Sequence, residues 1–106
     1  VVRVPVTGGH SISAAIECER ACPATEVTKL LHSMAGVKVI DNPRNNEYPM
    51  PLFAEGKDEV FVGRIRNDLF RPDIIHMWIV SDNLRKGAAT NAVQILESLI
   101  DHRFFA

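Results

Sequence analysis

Two residues in the segment RVPVTGGHS have the types and spacing for joint chemistry. Arg3 and His10 stand seven positions apart, with Pro5 and the pair Gly8 and Gly9 between them. A guanidinium is planar, permanently charged and shaped to take a carboxylate or phosphate through two parallel N–H bonds. An imidazole titrates near neutrality and is the commonest general acid or base. Glycines let the backbone bend where other residues resist, and they let a ligand come close to the chain. A strand-borne arginine followed by a loop-borne histidine can therefore bind an anion and move a proton beside it. Each residue also has an ordinary setting: an arginine on the solvent face of a valine-rich strand, and a hydrated loop histidine.

The stretch DNLRKGAATNAVQ is the second candidate. Gly87, Ala88, Ala89 and Thr90 are small residues at a helix start, where another backbone or a flat ligand can approach. A helix N-terminus also offers unpaired N–H groups to an anion. Tight packing of the helix on a sheet accounts for the same residues. Cys18 and Cys22 lack the further ligands that a zinc site needs, so reduced structural thiols and no metal are expected. His76, inside an apolar run, reads as a satisfied core histidine. His32 reads as a boundary residue of a helix and His102 as hydrated. There is no Ser-His-Asp order, P-loop or HExxH, and GGH is not a dinucleotide fingerprint.

The elements that must hold these groups follow from hydrophobic period. VVRVPV, residues 1–6, alternates and reads as a strand; ISAAIECE, residues 12–19, reads as a second, with Ile12, Ala14, Ile16 and Cys18 on one face. CPATEVTKLLHSMAG reads as a helix with Pro23 in its first turn and Val27, Leu30, Leu31 and Met34 at helical spacing. VKVID is a short strand. Residues 42–58 show no period, yet Tyr48, Met50, Leu52 and Phe53 make them too apolar for a free linker. They read as an extended arm that packs on another surface, a second subunit being one candidate. EVFVGRIRND alternates, with Arg64 and Arg66 beside Val60 and Val62 and with Phe61, Gly63 and Ile65 opposite. IIHMWIVS is continuously apolar, as a central strand covered on both faces would be. AATNAVQILESLIDHRFF is a helix whose apolar face is wide enough to meet more than one surface. The fold class is α+β: a mixed, largely antiparallel open sheet with helices packed on it and a C-terminal helix.

The 106 residues allow one core, and a net charge of −1 without basic blocks argues against nucleic acid or an anionic membrane as partner. No apolar run is long enough to span a bilayer, no leader-like start is visible, and cytoplasmic residence is expected. The sequence begins without methionine inside a strand-like run, as a piece of a longer protein would. An apolar arm and a two-faced apolar strand need covering, so a homo-oligomer is expected.

Four stretches, RVPVTGGHS, NPRNNEYPMPL, GKDEVFVGRIRND and SDNLRKGAATNAVQI, resemble in order and spacing the C-terminal part of the aspartate-semialdehyde dehydrogenases. The resemblance implies the C-terminal-domain fold shared with glyceraldehyde-3-phosphate dehydrogenase. It also implies the reductive dephosphorylation of L-aspartyl-4-phosphate to L-aspartate 4-semialdehyde with NADPH, on the route to lysine, threonine and methionine. It makes Arg3 the binder of the substrate carboxylate, His10 the acid/base group and Asn91 a contact to the nicotinamide end of NADP. Residues 1–84 would be the substrate-binding and dimerisation domain, and residues 85–106 a helix returning to a cofactor domain. The implied partners are aspartyl phosphate or aspartate semialdehyde, phosphate, and further copies in a homodimer or homotetramer. The family's glycine-rich cofactor loop and nucleophilic cysteine have no counterpart here, so these residues alone are expected to be inactive. The alternative is a non-catalytic dimerisation or amino-acid-binding module of the same ancestry. An N-acetylglutamyl phosphate reductase is a further one, which NNEYPMP and LRKGAATNAVQ weigh against.

Overall fold

The two strongest apolar patterns form the middle of the sheet in a computed structural model, which describes residues 1–104. IIHMWIVS is β4 (Ile74–Ser81), and the alternating run before it is β3 (Val60–Asn67). The other strands are β1 (His10–Glu17) and β2 (Val37–Val39), in the order β1-β4-β3-β2. β4 runs antiparallel to both neighbours, and β2 lies parallel to β3. The mixed, largely antiparallel α+β architecture is thus the one expected.

The helix α1 (Ala24–Ser33) lies on one face, where Val27 and Leu31 meet Val62, Ile75 and Met77. The arm crosses the other face. Its short helix α2 (Pro51–Ala54) buries Ala54 against Phe61 and Val80, and the Trp78 indole N–H donates to the Pro49 carbonyl at 3.0 Å. Ile75 and Val80 are essentially fully buried, which stabilises the fold by about 1.5–3 kcal/mol for each such side chain. The crossing requires Gly63, because a Cβ there would lie 2.2 Å from the Ile40 carbonyl oxygen and 2.5 Å from Pro49 Cδ.

Several local expectations are corrected. Residues 1–6 form no strand: only Val2 bridges to Ser11, and the Val6 N–H turns back to the Val4 carbonyl at 2.8 Å around Pro5, which has no N–H of its own to give. β1 starts and ends two residues earlier than its apolar pattern, so Cys18 lies just past its end. Pro23 sits before the first turn of α1, not within it. Residues 42–58 are not featureless; they hold a 3₁₀ turn at Pro43–Asn45 as well as α2, and the arm packs on its own sheet. The faces of β3 were mis-assigned beyond Gly63. A bulge between Gly63 and Arg66 inserts one residue, with Arg64 at φ 55. Ile65 thereby joins Val60 and Val62 on the α1 face, while Arg64 and Arg66 border a groove beside Trp78. The last helix begins with a π turn at Arg85–Ala89 and continues as α3 (Thr90–Asp101), so helical backbone starts before Ala88. Residues 105 and 106, the end of the expected C-terminal segment, lie outside the described residues.

Candidate active site

β1 begins where β4 ends, since His10 pairs with Ser81, and the chain leaves β4 through Asp82 and Asn83. Asp82 is buried, and its carboxylate is spent on backbone. Oδ2 accepts from Gly56 N–H at 2.7 Å, and Oδ1 from Leu84 and Arg85 N–H at 2.7 and 2.8 Å. The Gly56 and Arg85 N–H groups hold its carboxyl below the usual carboxylate range. The Asp82 carbonyl also accepts from Gly87 N–H at 2.8 Å, which closes the π turn. At the surface Arg85 pairs with Asp58 at 3.1 Å, and Thr90 Oγ1 donates to the same carboxylate at 3.0 Å. The arm's end, the end of β4 and the start of α3 are thereby tied at one corner.

The GGH loop threads into that corner. Gly9 has φ 91, and a Cβ on it would come within 2.9 Å of Pro51 Cβ, so glycine is needed twice over. Its N–H donates to Asn83 Oδ1 at 3.0 Å. The next residue is His10, exposed at its outer side, whose Nδ1 lies 3.3 Å from where a Cβ on Gly87 would stand.

Val2 N–H donates to the Ser11 carbonyl at 2.8 Å in an antiparallel bridge. Arg3 follows the bridging residue Val2, and His10 precedes its partner Ser11, so this one bridge ties the two segments together. Arg3 is exposed, and among the described residues no side chain pairs with Arg3 or with His10. Asn91 is half-buried, four residues beyond Gly87 and so about one helical turn on. It borders a shallow groove of about 260 Å³ with Lys86, Gln94 and Leu99. His10 therefore lies beside the turn that leads into the helix bearing Asn91, while the segment of Arg3 is tied to the start of β1 through Val2. Asp82 and Asn83, read in the sequence as a plain polar turn, organise this corner. The signal that could have found them is an Asp-Asn pair directly before a helix, where short polar side chains cap backbone N–H groups.

The cysteines and the other histidines are elsewhere. Cys18 lies beyond the opposite end of β1, about 25 Å from His10 at the usual rise of an extended chain. Burial and the neighbouring Cys22 thiol push it above its ordinary pKa, the reverse of an activated nucleophile. His76 is half-buried with Nε2 2.9 Å from Asp68 Oδ2, a satisfied histidine as expected. His32 and His102 are exposed. Among the described residues no group of three or more His, Cys, Asp or Glu could hold a metal ion, and no helix is long and apolar enough to cross a membrane.

Residues 1–86 match the family described as semialdehyde dehydrogenase, dimerisation domain. The chain belongs to this family. It is 59% identical over 100 residues to an aspartate-semialdehyde dehydrogenase of Aquifex aeolicus, covering 93% of this chain and 29% of that protein. It is 52% identical over 99 residues to that of Bacillus subtilis, with 92% and 29% covered. A crystal structure of aspartate semialdehyde dehydrogenase II from Vibrio cholerae superposes with a TM-score of 0.81 at 40% identity, covering 93% of this chain and 29% of that one. The semialdehyde dehydrogenase dimerisation-domain chain thus spans less than a third of the length of these relatives. A groove of about 560 Å³ lies on the arm face, between Val4, Val6, Tyr48, Met50, Leu52 and Trp78.

Proposed function

We propose that this chain is the C-terminal portion of an aspartate-semialdehyde dehydrogenase. The reaction converts L-aspartyl-4-phosphate, NADPH and a proton to L-aspartate 4-semialdehyde, NADP and phosphate, in the cytoplasm, and serves lysine, threonine and methionine synthesis. The observation that supports the reading is the bridge between Val2 and Ser11, the chain neighbours of Arg3 and His10, with neither of those two side chains paired among the described residues. Arg3 holds the substrate's far carboxylate through paired N–H bonds. His10 gives and takes the proton at the reacting centre through an imidazole nitrogen. Pinning one end of a short substrate orients the other, and misorientation costs rate steeply.

The residues present fit one end of a nicotinamide cofactor. Asn91 is half-buried, polar and on the helix just beyond the turn that touches His10, as a carboxamide-binding group should be. NADP supplies the hydride when bound; the rest of its site and the nucleophilic cysteine belong to residues outside this sequence. Residues 1–84 then act as the substrate-binding and dimerisation domain. Residues 85–106 dock on the cofactor domain, a role supported by α3 having no buried residue while Val93, Ile95, Leu96 and Ile100 stay more than half exposed. The groove on the arm face supports packing against a second copy, in a homodimer or a homotetramer built from it.

The test is the product of the complete native gene, assayed for phosphate- and NADP-dependent oxidation of aspartate semialdehyde. Activity that collapses in His10→Asn, and a raised KM for the semialdehyde in Arg3→Lys, are expected. Parent-level activity in both variants would overturn the assignment. The 106-residue chain alone is expected to show no turnover.

A further inference from the structure

We propose that Asn83 and Gly87 are positioning residues that set the imidazole of His10 for proton transfer, an inference that rests on reading His10 as the acid/base group. Asn83 acts on the backbone. Its Oδ1 takes the N–H of Gly9, the residue immediately before His10, at 3.0 Å across 74 positions of sequence. The donor is a backbone N–H, so the amide must present its oxygen there and its orientation is fixed by chemistry. Gly9 sits at φ 91 against Pro51, so the loop is held from two sides.

Gly87 acts on the ring. The π turn that carries it is fastened by its own N–H to the Asp82 carbonyl and by two N–H bonds to the Asp82 carboxylate. A Cβ on Gly87 would stand 3.3 Å from His10 Nδ1, 3.7 Å from Cε1 and 3.1 Å from the Asp82 carbonyl oxygen. The ring edge bearing Nδ1 faces a backbone surface where a Cβ would displace it or the Asp82 carbonyl by a few tenths of an ångström, and Nε2 is left as the nitrogen for proton exchange. A side chain that makes no hydrogen bond of its own is thus oriented by what lies behind it.

The experiment compares Asn83→Ala, Asn83→Asp and Gly87→Ala with His10→Ala in the full-length enzyme. The readouts are kcat, KM, the pH–rate profile and the His10 imidazole titration by NMR, the latter assigned by its loss in His10→Ala. Asn83→Ala and Gly87→Ala are each expected to lower kcat by roughly 10- to 100-fold, as small misplacements of a catalytic group do, while KM for the semialdehyde stays near the parent value. Asn83→Asp keeps the acceptor and is expected to recover most of that rate. Its added negative charge, one peptide from the ring, moves the limb of the profile that follows His10 to higher pH. Parent-level kcat with an unmoved His10 titration in Asn83→Ala and Gly87→Ala overturns the inference. So does Asn83→Asp if it is as slow as Asn83→Ala with no shift in the limb. If Asn83→Ala does not fold, Gly87→Ala and Asn83→Asp decide between the same outcomes. Parent-level activity in His10→Ala is the separate result that removes the acid/base reading itself.

Discussion

The two ends of β4 are both polar, and they spend their charges on different plans. At the Ile74 end, Asn67 holds the chain before α1 by accepting from Ala24 N–H and donating to the Cys22 carbonyl, while the charged side chains pair with each other. Arg71 pairs with Asp73 and with Glu17, His76 pairs with Asp68, and the Asp68 carboxylate also caps the Phe70 and Arg71 N–H groups at 2.9 and 3.1 Å. Most of these partners are a few residues apart, and all are at least partly exposed. At the Ser81 end, Asp82 and Asn83 reach backbone N–H groups 26 and 74 positions away. One plan closes a local turn and uses up its charges. The other gathers distant segments by their backbones and, although Arg85 and Asp58 pair at its surface, leaves Arg3 and His10 unpaired among the described residues. A corner that fixes the chain without consuming Arg3 and His10 is suited to hold a ligand; a corner whose charges are already paired is suited only to hold itself.

This contrast can be broken or sharpened by substitution. The largest effect is expected from His10→Ala in the full-length protein: a loss of about 10²- to 10⁴-fold in kcat, in the range of a general acid/base, with unfolding temperature unchanged. A comparable fall in thermal stability would mean that His10 is part of the scaffold and would blur the two plans. Arg3→Ala is next, with kcat/KM for the semialdehyde falling by roughly 10- to 100-fold, as loss of charge-assisted bonds to a carboxylate implies. Steady-state kinetics checks it, and Arg3→Lys is expected to recover only part of the loss. Asp82→Ala should do the reverse of His10→Ala. It strands the N–H groups of Gly56, Leu84 and Arg85, so a drop of several degrees in melting temperature is expected, with activity falling as the corner loosens.

The smallest effect belongs to the Ile74 end and depends on pH. His76, then the Phe70 and Arg71 N–H groups, hold the Asp68 carboxyl down at about 2 from an ordinary 3.8. A folded-state pKa below the unfolded one contributes stability that is present above the unfolded value and is lost as pH falls toward the folded one. Asp68→Asn is therefore expected to be slightly less stable than the parent at neutral pH. The two should converge as pH falls from about 4 to about 2, with activity untouched throughout. Thermal unfolding of both proteins across that range measures it. A gap that persists at about pH 2 would show that Asp68 acts through packing and not through its charge.

Much of this was legible in the residues alone, for reasons that can be named. Apolar period is a local property, and it located α1, β4 and β3 up to Gly63, which pack as their sequences repeat, and the body of α3, whose apolar face stays exposed. Arg3 and His10 were visible as an arginine and a histidine around two glycines, whereas Asn91 was singled out only by the family resemblance. The tertiary structure decided the rest. Pro5 broke the first alternating run, because a strand needs a donor that proline lacks. The bulge after Gly63 moved Arg64 and Arg66 to the other face, next to the point where Pro49 and the Ile40 carbonyl close on Gly63 from 14 and 23 positions earlier in the chain. The Val2–Ser11 bridge tied the segment of Arg3 to the start of β1, and Asn83 and Gly87 came beside the Gly9–His10 backbone and ring only when β1 returned to the end of β4. Those contacts join segments that no window of neighbouring residues contains together. The sequence by itself determined which groups could do chemistry; the folding of distant backbone around Asp82 decided where they stand.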